Sequence, residues 1–164
     1  MDSDERQVWL HLQKTLKKFE GKSFAGVLNL KRSGVWNQTE QTVNLKFAPN
    51  QIEFNAEKDF SYVIDLLKDE LQYRKPAVIE DSMNFDLSKL RLLPWARLLS
   101  ISRQIPDEDT FTITQSERKD RRVYNIHRRR SSDEGLRLVF DGQESKFREL
   151  EFLFGPHFGA WLTF

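Results

Sequence analysis

The feature that most constrains this chain is the alternation of apolar and polar residues between residues 23 and 55. In the stretch TVNLKFAPNQIEF, Val43, Leu45 and Phe47 share one face, Pro-Asn marks a turn, and the alternation then resumes. A period of two residues is typical of a strand with one face in the core and the other in water. We therefore predict three antiparallel strands over 23–55.

The same period returns after residue 96. Four short segments, 96–103, 110–116, 121–128 and 136–140, are separated by turn-rich gaps and predict a four-stranded meander. The two groups together give about seven strands, which form either one curved sheet or a partial barrel.

Three segments follow the helical period instead. Apolar residues recur about once per turn over 4–19, and they follow the spacing i, i+3, i+4, i+7 over 60–73. Asp141 is placed to cap a third helix over 142–155. Segment 83–92 is either a short helix or an irregular crossing. We therefore predict an α+β fold, with N-terminal, middle and C-terminal helices beside a largely antiparallel sheet.

The length and composition indicate a single domain over 1–164. Apolar residues make up 38% of the chain, and no Gly/Ser/Pro linker or internal repeat divides it. A chain of this size buries roughly 70% of its unfolded surface. The periodic positions predict a core of Val8, Leu12, Leu28, Leu45, Phe47, Val63, Leu67, Leu99, Ile113, Val139, Leu150 and Leu153.

Several classes of chemistry lack their usual sequence signals. The chain has no cysteine, which excludes disulfides and thiolate metal sites, and its three histidines fall in different predicted elements. Glycine-rich phosphate loops and the GxSxG motif are absent. We therefore predict no metal or cofactor and do not predict an enzyme, although an active site assembled from distant residues stays open. The chain begins with polar residues and contains no apolar run long enough to cross a membrane. We therefore expect a cytoplasmic protein, or a nuclear one in a eukaryote.

The segment 118–130 concentrates positive charge in a chain whose net charge is only +1. It holds seven basic side chains and one aspartate, so it carries +6 and the remainder carries −5. Arginine pairs well with phosphate and tyrosine can stack on an exposed base, which favours a non-enzymatic protein that binds nucleic acid. The predicted contacts are Arg121, Arg122, Tyr124, Arg128, Arg129 and Arg130, with Lys31 and Arg32 as further contributors.

Other interpretations of the sequence remain open. The basic segment can be an ordinary charged hairpin edge, or a regulatory peptide that ends at Ser131 and Ser132. The aromatic C-terminus can either complete the core or dock on a protein partner in an assembly or chaperone-like subunit. In the second case Phe158, Trp161 and Phe164 are the partner-binding residues. A phenylalanine-rich barrel that holds a small ligand is a further alternative.

Overall fold

One helix and ten strands make up the part of the chain that the structure describes. This computed structural model describes residues 3–48, 51–56, 60–65, 70–73, 101, 105–106 and 109–164. The elements are α1 (Ser3–Lys17), β1 (Ser23–Arg32), β2 (Val35–Ala48), β3 (Gln51–Ala56), β4 (Phe60–Asp65), β5 (Glu70–Tyr73), β6 (Phe111–Arg118), β7 (Arg121–Arg128), β8 (Ser131–Asp141), β9 (Phe147–Phe154) and β10 (Phe158–Thr163).

The strands form one antiparallel sheet in the order β5-β4-β3-β2-β1-β10-β9-β8-β7-β6. Strand β1 pairs with β10 as well as with β2, and this pairing joins the N-terminal and C-terminal groups of strands. The sheet is open, with β5 and β6 at the edges of its described part. The predicted antiparallel α+β class is therefore confirmed, whereas the alternative of a partial barrel is wrong.

Helix α1 lies against one face of the sheet. Its apolar stripe follows the helical period, and Trp9, Leu12 and Leu16 are at most 5% exposed. Acidic residues occupy the first turn, where they complement the helix dipole. The chain leaves the helix through a turn in which Gly21 adopts a φ of 80°, a conformation that favours glycine. The predicted N-terminal helix is confirmed to within two residues at each end.

The predicted middle helix over 60–73 is wrong, because its ends form β4 and β5. The helical spacing was carried by a short run of apolar residues, and such runs fit either structure. The stretch FSYVID is rich in aromatic and β-branched residues, which favour strands. The segment 83–92 and the strand predicted over 96–103 lie outside the described residues, except for Ile101, which is fully buried.

The predicted C-terminal helix over 142–155 is also wrong, because residues 147–154 form β9. The stretch FRELEFLF contains two patterns, since Leu150 and Phe152 also alternate with Glu149 and Glu151. Strands β8 and β10 both pair with this segment, and their hydrogen bonds select the alternating pattern. Asp141 does accept hydrogen bonds from the main-chain N–H groups of residues 145 and 146, but it closes a turn instead of capping a helix.

The register separates an inner face, which packs against α1, from an outer face. Tyr124, Leu138, Leu150, Leu162 and Leu28 are cross-strand neighbours on the inner face, and none is more than 2% exposed. Eight predicted core residues are buried, namely Leu12, Leu28, Leu45, Phe47, Val63, Ile113, Val139 and Leu150, while Val8 and Leu153 are partly exposed. Leu67 and Leu99 lie outside the described residues.

The aromatic C-terminus completes the core, as one of the two interpretations predicted. Strand β10 lies between β1 and β9, and Leu162 on it is buried. The Phe164 ring packs 5.2 Å from the Phe147 ring and 5.6 Å from the Phe24 ring, measured between centroids. The tail is therefore an interior part of the sheet, although the side chain of Phe158 is not among those described.

Candidate functional site

Strand β7 divides the basic segment between two ends of the sheet. The turn before the strand holds Lys119 and Asp120, and the turn after it holds Arg129 and Arg130. Eight residues separate these turns, a distance of roughly 30 Å along an extended strand. Arg118, Lys119, Arg121 and Arg122 thus define a distal end, which is well removed from Arg128, Arg129 and Arg130.

Two of the predicted contacts at the distal end bind carboxylates of the protein itself. Arg121 Nη1 lies 3.5 Å from a carboxylate oxygen of Glu149. Arg122 Nη2 donates to Glu117 at 2.9 Å, and its Nη1 donates to Glu144. Much of the positive charge that the sequence places here is therefore compensated within the fold.

The predicted exposure of Tyr124 is wrong, because this side chain is fully buried. Strand β7 turns Arg122, Tyr124 and Ile126 toward the inner face and leaves the alternate positions on the outer face. Tyrosine and isoleucine together bury more apolar area than the single valine at position 123, which explains the orientation of the strand. Tyr124 therefore offers no stacking surface to a ligand.

Antiparallel pairing brings the other predicted contacts together. Lys31 pairs with Gly159, which pairs with Leu153, and the row continues through Gly135 to His127. The turn after β1 and the turn after β7 therefore lie at the same end of the sheet, roughly 19 Å apart at the usual strand spacing. We call this the basic end, and it comprises Lys31, Arg32, Arg128, Arg129 and Arg130.

The basic end contains both exposed and partnered cations. Arg129 Nη2 donates to both carboxylate oxygens of Glu5, at 3.0 and 3.2 Å, and so links the turn after β7 to α1. The guanidinium of Arg128 lies 6.0 Å from the Phe111 ring, and Lys31 Nζ lies 5.9 Å from the Trp36 ring. Arg130 is exposed at the tip of the turn.

A second cluster, which the sequence did not reveal, surrounds the carboxylate of Glu144. This residue sits in the turn between β8 and β9 with a φ of 55°, and its side chain is only 3% exposed. Thr15 and Arg122 donate hydrogen bonds to it, and Tyr124 Oη donates at 3.0 Å. His11 Nε2 lies 2.8 Å from Glu144 Oε1. We call these five residues the Glu144 network.

The network stabilises Glu144 as an anion. Burial alone would raise the pKa of this carboxyl, but the hydrogen bonds from Thr15, Arg122, His11 and Tyr124 outweigh it and lower the pKa. The hydrogen bond to Glu144 in turn raises the pKa of Arg122, and burial raises the pKa of Tyr124. The fixed charge connects α1, β7 and the turn after β8, so the network joins the helix to the sheet.

No local signal in the sequence points to this network. Glu144 lies 133 residues from His11 and 129 from Thr15, and the turn that holds it was predicted to begin a helix. In the part of the chain that the structure describes, no group of His, Asp and Glu is arranged to hold a metal ion. In the described part of the chain, α1 is the one helix, and it lacks the length and apolar character needed to cross a membrane.

Comparison with known proteins adds no assignment. The sequence matches no protein-family model, and no curated protein matches it significantly.

Proposed function

We propose that this protein is a non-enzymatic binding module that contacts nucleic-acid phosphates through its basic end. The observation that supports the proposal is the sheet topology. Two basic groups about a hundred residues apart in sequence, at 31–32 and 128–130, belong to strands that end on the same side of the sheet. The distal arginines and Tyr124 are no longer part of the proposed surface.

The chemistry of the basic end suits phosphate. The arginine guanidinium is planar and donates paired hydrogen bonds to phosphate oxygens, and three consecutive arginines stand at the end of β7. Arg129 already holds one carboxylate, that of Glu5, with both oxygens engaged. A phosphate can replace this carboxylate without a change in the kind of contact that the guanidinium makes.

The alternative functions have less support. Strand β10 pairs on both sides, so the C-terminal aromatics are not arranged as a separate docking segment. The open sheet does not favour a closed barrel around a small ligand. The proposal involves neither a metal nor a cofactor, and a cytoplasmic or nuclear location stays a prediction.

A salt titration with matched variants tests the proposal. The substitution of Arg128, Arg129 and Arg130 by alanine removes three charges from the basic end, and the substitution of Arg118, Lys119 and Arg121 removes three from the distal end. The affinity of each protein for a fluorescein-labelled 16-base-pair duplex is measured at several salt concentrations. Each phosphate contact contributes about 0.9 to the slope of log affinity against log salt. We expect the basic-end variant to flatten the slope by about 2 to 3, and the distal-end variant to change it by less than about 1.

Two results would contradict the proposal. Equal effects of the two variants would show that only the total charge matters, without a defined surface. No binding of the unmodified protein at low salt, where electrostatic attraction is strongest, would exclude a phosphate-binding role for the basic end.

A further inference from the structure

The outer face beside the basic end carries a pair of tryptophans in a fixed arrangement. Trp36 on β2 and Trp161 on β10 are both partly exposed, and their ring centroids lie 6.0 Å apart at an interplanar angle of 70°. Leu162 faces the core, so Trp161 points to the opposite side of the sheet. Each indole therefore restricts the other in an edge-to-face contact, which lowers the entropy lost when a ligand binds.

A glycine lies beneath the indole of Trp36. A Cβ atom at Gly159 would stand 3.4 Å from Trp36 Cη2 and 2.8 Å from the carbonyl oxygen of Phe152. The indole of Trp36 thus reaches over the backbone of β10 to van der Waals distance of position 159, where a side chain would crowd the Phe152 carbonyl oxygen. The two indoles therefore lie side by side over the outer face of β10.

The charge around the tryptophans is suited to a polyanion. Lys31 pairs with Trp36 across the sheet and places its ammonium 5.9 Å from the indole. Glu151, the cross-strand partner of Trp161, is an acidic neighbour, but Arg137 Nε lies 3.1 Å from its carboxylate and compensates it. Lys31 also belongs to the basic end, so one of the proposed phosphate contacts lies beside the aromatic pair.

We infer that Trp36 and Trp161 stack on unpaired bases, so that the preferred ligand of the basic end is single-stranded nucleic acid. This inference rests on the proposed function and specifies its substrate. Every base presents a flat π-face, and a sheet that combines aromatic side chains with neighbouring cations binds single strands with little sequence preference. In a duplex the bases are stacked on one another, so the tryptophans have no base to contact.

The test compares single strands with a duplex. The probes are labelled ten-nucleotide oligouridine and oligothymidine and the 16-base-pair duplex, and the variant is Trp36→Leu, which keeps an apolar side chain but removes the π-face. Stacking on an aromatic side chain contributes about 1–3 kcal/mol per base, or roughly 5- to 150-fold in affinity. We expect Trp36→Leu to weaken both single strands within this range, to leave the duplex affinity within about twofold, and to keep the salt slope.

Two further variants serve as controls. Val35 precedes Trp36 on β2 and is 60% exposed, but it has no π-face. Val35→Ala should therefore leave the affinities for all three probes unchanged. Trp161→Leu repeats the test on the second indole if Trp36→Leu proves less stable in urea. Equal weakening of the RNA and DNA strands is expected, because the base and not the sugar makes the contact.

The outcomes separate this inference from the proposed function. If the arginine variant loses affinity for every probe while both tryptophan variants keep theirs, the phosphate surface stands and the stacking inference is overturned. Equal weakening of single strands and duplex by Trp36→Leu would also overturn it, because that pattern indicates a general structural effect. If the arginine variant and the tryptophan variants all bind as the unmodified protein does, both proposals are wrong.

Discussion

Glu144→Gln is expected to destabilise the fold by about 2–4 kcal/mol, which is a large effect for a change of one atom. The glutamine has nearly the same shape, but it loses the charge and presents an amide with two N–H donors to a cluster of donors. Arg122 is 22% exposed on its side chain and, among the described residues, would keep only Glu117 as a charged partner. Loss of one partner from a buried pair costs about 3–5 kcal/mol, and a hydrogen bond to a charged group contributes about 1.5–3 kcal/mol. The expected loss is below the top of these ranges, because Arg122 is partly exposed to water and keeps its ion pair with Glu117.

Urea unfolding at pH 7, followed by tryptophan fluorescence, measures this loss. Glu149→Gln is the matched control, because Glu149 makes a longer contact of 3.5 Å with Arg121, whose side chain is 54% exposed. Exposed ion pairs contribute about 0–1 kcal/mol, so the control should lose less than about 1 kcal/mol. Similar losses for the two variants would refute the conclusion that the Glu144 network stabilises the fold.

The same network makes stability dependent on pH in the acid range. Although burial alone would raise the pKa of Glu144, the donated hydrogen bonds lower it below its ordinary value of about 4.3. The ionised carboxylate therefore stabilises the fold fully above the ordinary pKa, and this contribution is lost as the pH falls through the lower folded-state value. The unmodified protein and Glu144→Gln should differ by a constant amount near neutral pH and converge below about pH 4. A difference that grows with acidity would contradict the assigned direction of the shift.

Two further variants test individual contacts in the core. Leu150→Ala removes a fully buried side chain from the inner face and should lower the free energy of unfolding in urea by about 2–5 kcal/mol. A loss below about 1 kcal/mol would show that Leu150 does not belong to the core. Tyr124→Phe removes one hydrogen bond to Glu144 and should cost about 1.5–3 kcal/mol while the affinity for oligothymidine stays unchanged. A selective loss of single-strand binding in Tyr124→Phe would mean that Tyr124 takes part in recognition after all.

Sequence reasoning succeeded where one pattern was unopposed and failed where two patterns overlapped. The alternation around Val43, Leu45 and Phe47 fits only a strand, and these residues are buried as predicted. The segment 147–154 fits both periods, and the choice between them depends on β8 and β10, whose hydrogen bonds cannot be deduced from the segment alone. Local periodicity was therefore a sufficient guide where only one period fitted, and it failed for 60–73 and 147–154, where both periods fitted.

The candidate sites show the same limit in a different way. The sequence identified the basic residues of β7, but the side each one faces depends on whether Val123 or Tyr124 enters the core. A change of one residue in register reverses both faces of a strand, so the choice decides which arginines are exposed. The Glu144 network was beyond local reasoning, because His11, Thr15 and Arg122 meet Glu144 only after the helix has packed on the sheet.

Strand β9, which replaces the predicted C-terminal helix, also connects the proposed phosphate surface with the proposed stacking on the tryptophans. Each hairpin of a meander reverses the chain, so consecutive turns fall alternately at opposite ends of the sheet. Because β9 and β10 are both strands, the turns after β7 and β9 lie at the end where β1 finishes with Lys31 and Arg32. A helix over 142–155 would have removed β9 from this series and left the arginines and Lys31 with no defined relation. The pairing of Trp161 with Asn29 and of Gly159 with Lys31 then places the tryptophans beside Lys31. The proposed surface is thus a consequence of strand count and register, and a variant that breaks the pairing of β10 should abolish binding to single strands and duplex alike.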